Sequence, residues 1–151
     1  RLVIDALRQS GQRGIIASGW GGLQAADLPE SVFMLEQAPH DWLFPQMAAV
    51  VHHGGAGTTA AGLRAGKPSV ICPFIADQPF WAQRVAALGV GTAPLAQKRL
   101  TAENLAAAIR TAVTDTDMRQ RAESLAARIR AEDGVTAAVS IIRQAAHLQL
   151  G

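Results

Sequence analysis

The sequence predicts an α/β fold in which a largely parallel sheet is flanked by helices and is followed by several more helices. Over the first two thirds of the chain, short β-branched runs alternate with helical patterns, and each run ends at glycine, proline or a polar turn. Beyond Thr101 the pattern is helical throughout. Alternation of this kind is typical of repeated strand-helix units, whose strands pair in parallel.

The predicted strands occupy five short segments, of which the fifth is the weakest: residues 14–18, 32–36, 50–53, 69–72 and 90–95. Glycines end the two helices predicted between these strands, at residues 57–65 and 78–88. Thr101 is a predicted N-cap, and helices at 119–131 and 135–148 follow the one it begins. The chain opens without methionine, in a segment that reads as a helix entered partway along, so we expect a piece of a longer protein.

Composition indicates one globular domain without a nucleic-acid surface. Of the 151 residues, 49% are apolar and 17% are charged, which is enough apolar material to bury a core. The net charge is +2, and bases alternate with acids along the last third. The single cysteine, Cys72, excludes an internal disulfide, and no apolar stretch approaches the ~20 residues of a membrane helix. We therefore expect a cytoplasmic protein with no transmembrane segment and no signal peptide.

The segment with the clearest chemistry is Val-Val-His-His-Gly-Gly-Ala-Gly-Thr-Thr at residues 50–59. A strand that runs through a glycine-rich turn into a helix presents free N–H groups at a positive helix terminus, and such a site suits a phosphate. The candidates are the His53 imidazole, the backbone around Gly55, Ala56, Gly57 and Thr58, and the hydroxyls of Thr58 and Thr59. The alternative is that the glycines only make a tight connection.

Three competing kinds of site disagree with the residues. A Walker loop ends in Gly-Lys-Ser/Thr, whereas proline follows the only Gly-Lys, at residues 66–67. The dinucleotide fingerprint requires a third glycine where Ala60 stands. A zinc site is not expected either, because neighbouring strand residues such as His52 and His53 point to opposite faces and no cluster of cysteines or acids accompanies them.

Three further loops follow predicted strands at the edge where ligands of parallel sheets bind. Asp77 and Gln78, after the fourth strand, offer groups for sugar hydroxyls, although Asp77 alternatively N-caps the next helix. The loop after the first strand offers Ser18 and Gly19 to a phosphate. After the second strand, the base of a nucleotide could lie beside residues 37–43. Alternatively, Asp41 caps a short helix there and Trp42 fills the core. For Trp42 we predict the core position.

Together these segments resemble the donor-binding domain of GT-B glycosyltransferases, in particular the bacterial and fungal relatives of sterol and antibiotic glucosyltransferases. The resemblance is carried by Ser-Gly-Trp-Gly at residues 18–21, Ala-Pro-His-Asp-Trp-Leu-Phe at 38–44, the turn at 52–59 and Asp-Gln at 77–78. It implies a Rossmann-like sheet, the C-terminal half of a GT-B fold. Residues 1–151 would then form one nucleotide-sugar domain, and the N-terminal acceptor domain would be absent from this chain.

The same resemblance implies roles for individual residues toward a UDP-sugar, which is a donor substrate and not a cofactor. The diphosphate contacts would be His53, the amides of Gly57 and Thr58, and Ser18; Gln37 and Ala38 would border the uracil; Asp77 and Gln78 would grip the sugar. No metal is implied. One departure stands out: plant relatives carry a ribose-binding glutamate eight residues after the phosphate-binding histidine, where this chain has Ala61. The ribose contact is therefore unassigned, and the preference for UDP over TDP rests on the resemblance.

Members of this family are inverting enzymes whose catalytic base lies on the N-terminal domain. We therefore predict no catalytic residue in this chain, which alone would be inactive, and a parent enzyme that transfers a hexose to a hydroxyl of a lipophilic acceptor such as a sterol, a lipid or a natural-product aglycone. Two alternatives stay open. One is a nucleotide-sugar 2-epimerase, which needs acids that are scarce in the first half beyond Asp77. The other is a non-catalytic nucleotide-binding module.

Overall fold

The computed structural model describes residues 1–17 and 28–148, and side chains up to residue 146. The first half contains helix α1 (Leu2–Ser10), strands β1 (Gly14–Ala17) and β2 (Val32–Leu35), and the short helix α2 (His40–Leu43). Strand β3 (Val50–His52), helix α3 (Ala56–Arg64), strand β4 (Ser69–Ile71) and helix α4 (Gln78–Ala87) follow. Helices α5 (Ala102–Thr114), α6 (Thr116–Ala131) and α7 (Gly134–Leu148) complete the chain, and 3-10 turns lie at Phe44–Gln46 and Gln97–Arg99.

The strands pair in parallel, as predicted. Gly14 lies opposite Val32 in the β1–β2 pair, and Val50 lies opposite Ser69 in the β3–β4 pair. Within residues 1–17 and 28–148, no ladder joins one pair to the other. Parallel pairing places the carboxyl ends of β3 and β4 at one edge, so the loops that leave these strands are neighbours.

Helices cover both faces of the β3–β4 pair. Successive residues of a strand point to opposite faces, and Val70 belongs to a core with α1 and α5, whereas Ile71 belongs to a second core with α4 and α6. Leu105 of α5 and Val85 of α4, both 1% exposed, are the larger helical contributions. The predicted α/β sheet flanked by helices is confirmed.

The predicted fifth strand at residues 90–95 is wrong. The segment runs beside β4, where the Ser69 N–H donates to the Val90 carbonyl (3.2 Å) and the Thr92 N–H donates to the Ser69 carbonyl (3.1 Å), but only an isolated parallel bridge between Ser69 and Gly91 forms. Pro94 has no N–H with which to continue a ladder. The β-branched residues Val90 and Thr92 are therefore not sufficient to make this segment a strand.

The helical last third is confirmed, with the predicted N-cap. The Thr101 hydroxyl accepts a hydrogen bond from the Asn104 N–H (3.2 Å), and the Asn104 side chain accepts one from the Thr101 N–H (3.0 Å), which is a reciprocal capping pair. Helix α6 begins three residues before its predicted start, because Asp115 caps it by accepting from the Met118 N–H at 2.8 Å. None of the helices in the described ranges has the length and apolarity to cross a membrane.

Candidate functional site

The turn between β3 and α3 leaves three backbone donors free. Gly55 is the N-cap of α3, and the Thr59 N–H makes the first backbone bond of the helix, to the Gly55 carbonyl at 2.9 Å. The N–H groups of Ala56, Gly57 and Thr58 have no acceptor among the described residues, and no side chain caps the helix. Three N–H groups without an acceptor at a positive helix end are an arrangement typical of anion-binding sites.

The His53 imidazole lies directly against this turn. A Cβ built on Gly55 would be 2.7 Å from His53 Nε2, so the ring rests on the Gly55 backbone, and both residues border solvent. The predicted group of residues 53 and 55–58 therefore does come together. Thr59 is a correction: it is 1% exposed and its hydroxyl has no partner in the described ranges, so its side chain faces the interior and not a ligand.

His52, the last residue of β3, was missed as a site residue in the sequence. Its Nδ1 accepts a hydrogen bond from the Gly54 N–H at 3.1 Å, across the turn that leads to α3. The pKa of His52 is lowered from 6.5 to about 4, mainly by burial and to a smaller extent by the nearby His53 and His40 imidazoles. The imidazole is therefore neutral at physiological pH. Strand alternation was the available signal, because it places His52 inward whenever His53 points outward.

We predict that the domain loses stability in mild acid because of His52. A histidine whose folded pKa is below its unfolded value stabilises the fold fully above pH 6.5, and that stability is lost between pH 6.5 and about 4. From pH 7 to pH 5 the expected loss in the free energy of unfolding is about 2 kcal/mol. Urea unfolding of the wild type and His52→Asn at both pH values would isolate the effect, since the variant lacks the titrating group. Equal losses in the two proteins would contradict the prediction.

The loop after β4 is held by its own side chains. Gln78 Oε1 accepts hydrogen bonds from the N–H groups of Phe74 (2.7 Å) and Ile75 (3.1 Å). The Trp81 indole N–H donates to Asp77 Oδ2 at 2.7 Å. Asp77 occupies the N-cap position of α4 but makes no capping bond, so the capping alternative is wrong for its side chain.

These bonds decide what the loop offers to a ligand. Oε1 of Gln78 is occupied, and its Nε2, a donor, has no acceptor among the described residues. Oδ2 of Asp77 is oriented by Trp81, and its Oδ1, an acceptor, has no donor among the same residues. Ala76, just before this pair, is the positive-φ residue other than glycine among those described, at φ 57°. A strained residue beside two oriented polar groups is a pattern typical of binding sites.

The two loops are in contact. A Cβ on Gly54 would lie 2.7 Å from Ile71 Cγ2 and 3.2 Å from the Gln78 carbonyl oxygen, so the turn after β3 packs on the first residue of α4. The structure therefore brings the predicted phosphate turn and the predicted sugar-binding pair to one edge.

The remaining predicted residues are only partly placed. Ser18 and Gly19 lie outside the described residues. Gln37 is exposed and Ala38 half-buried in the segment between β2 and α2. The His40 imidazole at the start of α2 lies near enough to His52, the last residue of β3, to lower its pKa.

Two expectations in that segment are wrong. Trp42 is 62% exposed and does not fill the core, because no residue of α2 is buried and Phe44 of the next turn is buried instead. Asp41 does not cap the helix either. Pro39 occupies the N-cap position, and the Asp41 carboxylate accepts from the adjacent Trp42 N–H at 3.0 Å.

Other reactive groups do not form a rival site. In residues 1–17 and 28–148, no group of three histidine, cysteine or acidic side chains is placed to hold a metal ion. The free thiol of Cys72 is 7% exposed, and burial raises its pKa. A buried thiol of this kind is unreactive. The fold and the site therefore define a parallel α/β domain that can hold an anionic ligand at the carboxyl edge of its strands.

Comparison with known proteins places this domain in a family. Residues 9–144 match the family described as erythromycin biosynthesis protein CIII-like, C-terminal domain. The chain belongs to that family. Its predicted resemblance to the C-terminal domain of GT-B glycosyltransferases is confirmed by this match and by the relatives below.

The curated relatives include sterol glucosyltransferases. One is a sterol 3-beta-glucosyltransferase of Arabidopsis thaliana, 49% identical over 140 residues, which are 91% of this chain and 23% of the relative. Another is the sterol 3-beta-glucosyltransferase of Saccharomyces cerevisiae, 44% identical over 148 residues, which are 93% of this chain and 12% of that protein. The chain thus spans less than a quarter of the length of these relatives.

Solved glycosyltransferases share the fold. The glycosyltransferase VinC, crystallised in complex with dTDP, aligns with a TM-score of 0.75 and 29% identity over 81% of this chain and 31% of VinC. The kitacinnamycin glycosyltransferase aligns with a TM-score of 0.78 and 27% identity over 86% of this chain and 34% of its own.

Proposed function

We propose that this chain binds a UDP-sugar at the carboxyl edge of β3 and β4, as the donor-binding domain of an inverting hexosyltransferase. The observation that supports this most is the set of three N–H groups at the start of α3 that have no acceptor in the described ranges, with the His53 imidazole beside them. A diphosphate carries negative charge that such donors stabilise through charge-assisted hydrogen bonds. The dTDP in the VinC complex is a nucleoside diphosphate of the same class.

The reaction needs little covalent chemistry from this domain. An acceptor hydroxyl oxygen attacks the anomeric carbon, the bond from that carbon to the diphosphate oxygen breaks, and UDP leaves with the electron pair. The acceptor proton passes to a base that we place on a separate N-terminal domain. The α3 amides and His53 would stabilise the negative charge that grows on the leaving diphosphate, an effect often worth a few kcal/mol.

The loop after β4 would hold the sugar. Hexose hydroxyls both donate and accept, and the free Oδ1 of Asp77 and the free Nε2 of Gln78 supply one partner of each kind. Because the loop packs against the β3–α3 turn through Gly54, a sugar bound there lies next to a diphosphate on α3. For the acceptor we propose a lipophilic alcohol, on the basis of the sterol 3-beta-glucosyltransferases among the relatives.

Calorimetric titration of the chain with UDP tests the proposal, and a parallel titration with dTDP tests the base preference. We expect saturable UDP binding with a dissociation constant below the millimolar range. Absence of heat up to millimolar UDP would contradict the donor-binding role. Tighter binding of dTDP than of UDP would show that the preferred nucleobase is thymine and not uracil.

The variant His53→Ala should weaken UDP binding by about 1 to 3 kcal/mol, because a hydrogen bond to a charged diphosphate is lost. His53→Gln is the matched variant, since the Gln Nε2 can donate from nearly the same place, and it should keep most of the affinity. The same titration measures both. An affinity unchanged in His53→Ala would remove this residue from the site.

A further inference from the structure

The His52 imidazole is built into the turn and not into the ligand surface. It ends β3 with its side chain directed inward, and its Nδ1 accepts the Gly54 N–H at 3.1 Å. Gly54 itself is fully constrained: it is buried, its φ is 94°, and it packs on Ile71 and Gln78. The Gly54 peptide therefore links the end of β3 to the N-terminus of α3 and packs on the start of α4.

This hydrogen bond sets the tautomer of the ring. An Nδ1 that accepts carries no proton, so the proton of the neutral imidazole is on Nε2. That Nε2 atom is buried and has no acceptor in the described part of the chain. A second proton, on Nδ1, would place one N–H against another and break the bond to Gly54. The ring therefore contacts the turn through the hydrogen bond that Nδ1 accepts from Gly54.

We infer that His52 is a positioning residue, whose neutral imidazole orients the Gly54 peptide and thereby directs the free amides of α3 toward one anion. Without the acceptor, the Gly54 N–H would be a buried donor with no partner, and the turn would rotate to reach water. The N–H groups of Ala56, Gly57 and Thr58 would then no longer point to the place beside the His53 imidazole where the anion would bind. The ligand part of this inference rests on the proposed UDP site, whereas the geometry of the turn does not.

Asparagine and glutamine at this position form a matched pair. The Oδ1 of asparagine stands two bonds from Cβ, as Nδ1 does in histidine, and can accept from Gly54. The Oε1 of glutamine stands one bond further and misses that N–H, although the functional group is the same. Leucine fills a similar volume and accepts nothing. If His52 only filled space, the leucine and glutamine variants would bind UDP more tightly than the asparagine variant.

The first measurement is the UDP affinity of the 151-residue chain and of these three variants at pH 7.5. We expect His52→Asn to stay within about threefold of the wild type, and His52→Gln and His52→Leu to bind at least about tenfold more weakly. Equal losses in all three variants, or tighter binding by leucine than by asparagine, would overturn the inference.

The second measurement needs no ligand. Hydrogen exchange of the Gly54 amide should be as slow in His52→Asn as in the wild type and at least about tenfold faster in the other two variants. Fast exchange of Gly54 in a folded asparagine variant would overturn the positioning role by itself. If the wild type fails to bind UDP, the proposed function fails, and the exchange rates still decide what His52 does.

Discussion

Replacement of Gly54 by alanine is expected to lower the free energy of unfolding by about 3 to 5 kcal/mol, because strain and a clash add together. The residue is buried at φ 94°, where an L side chain is rarely found. A Cβ there would lie 2.7 Å from Ile71 Cγ2 and 3.2 Å from the Gln78 carbonyl oxygen. Ile71 is 1% exposed and the Gln78 oxygen belongs to the backbone, so neither atom can move aside easily. Urea denaturation followed by circular dichroism measures the change.

The matched control is Gly11→Ala at the C-terminus of α1. Gly11 has φ 71°, but a Cβ there meets nothing within 4 Å. Its cost should be only the left-handed backbone penalty, about 1 to 2 kcal/mol. If both variants lost the same stability, the close approach of the β3–α3 turn to α4 would not contribute, and the convergence of the two loops at one edge would lose its support.

Gly57→Ala is expected to weaken UDP binding without lowering the stability of the domain. Gly57 is a helical residue of α3, and a Cβ on it would meet no atom of the described protein within 4 Å. The folded domain should gain up to about 1 kcal/mol, since alanine favours the helix over glycine. The affinity for UDP should nevertheless fall about 100-fold, or about 2.7 kcal/mol, because the new methyl group occupies space in front of the free amides.

Gly134→Ala provides the control for this separation. Gly134 begins α7, a Cβ there is also free of contacts within 4 Å, and no site residue belongs to that helix. The variant should leave UDP binding unchanged. Calorimetry and thermal unfolding on the two variants give both quantities. Full UDP affinity in Gly57→Ala would show that the ligand does not approach the first turn of α3.

Much of the site was predictable because its residues are consecutive. A strand, a glycine turn and a helix in the order of residues 50–59 specify local geometry, so His53, Gly55 and Gly57 come together whatever the rest of the chain does. The two threonines show the limit of such reasoning. Both are threonines, yet Thr59 is buried and Thr58 is only half-buried, because the helix turns by 100° per residue.

The errors arose where tertiary neighbours decide between similar local options. Trp42 had the apolar character of a core residue, but Phe44 takes the buried position of that segment. Residues 90–95 were predicted as a strand, but beside β4 they form only an isolated bridge at Gly91, and Pro94 has no N–H with which to continue a ladder. For Asp77, capping was the alternative interpretation, and it fails because the Trp81 indole, one turn along α4, donates to Oδ2 of Asp77.

The α/β class, the parallel pairing and the glycine-rich turn before α3 could be predicted from the sequence alone, because hydrophobic period, glycine positions and helix caps act over a few residues. Packing between the elements was needed to establish that Gly54 contacts Gln78, that His52 is a buried acceptor with a low pKa, and which atoms of Asp77 and Gln78 are hydrogen-bonded. These properties depend on desolvation and on hydrogen-bond partners from other elements. A local pattern cannot encode them, because burial and partner distance exist only once the strands and helices have packed.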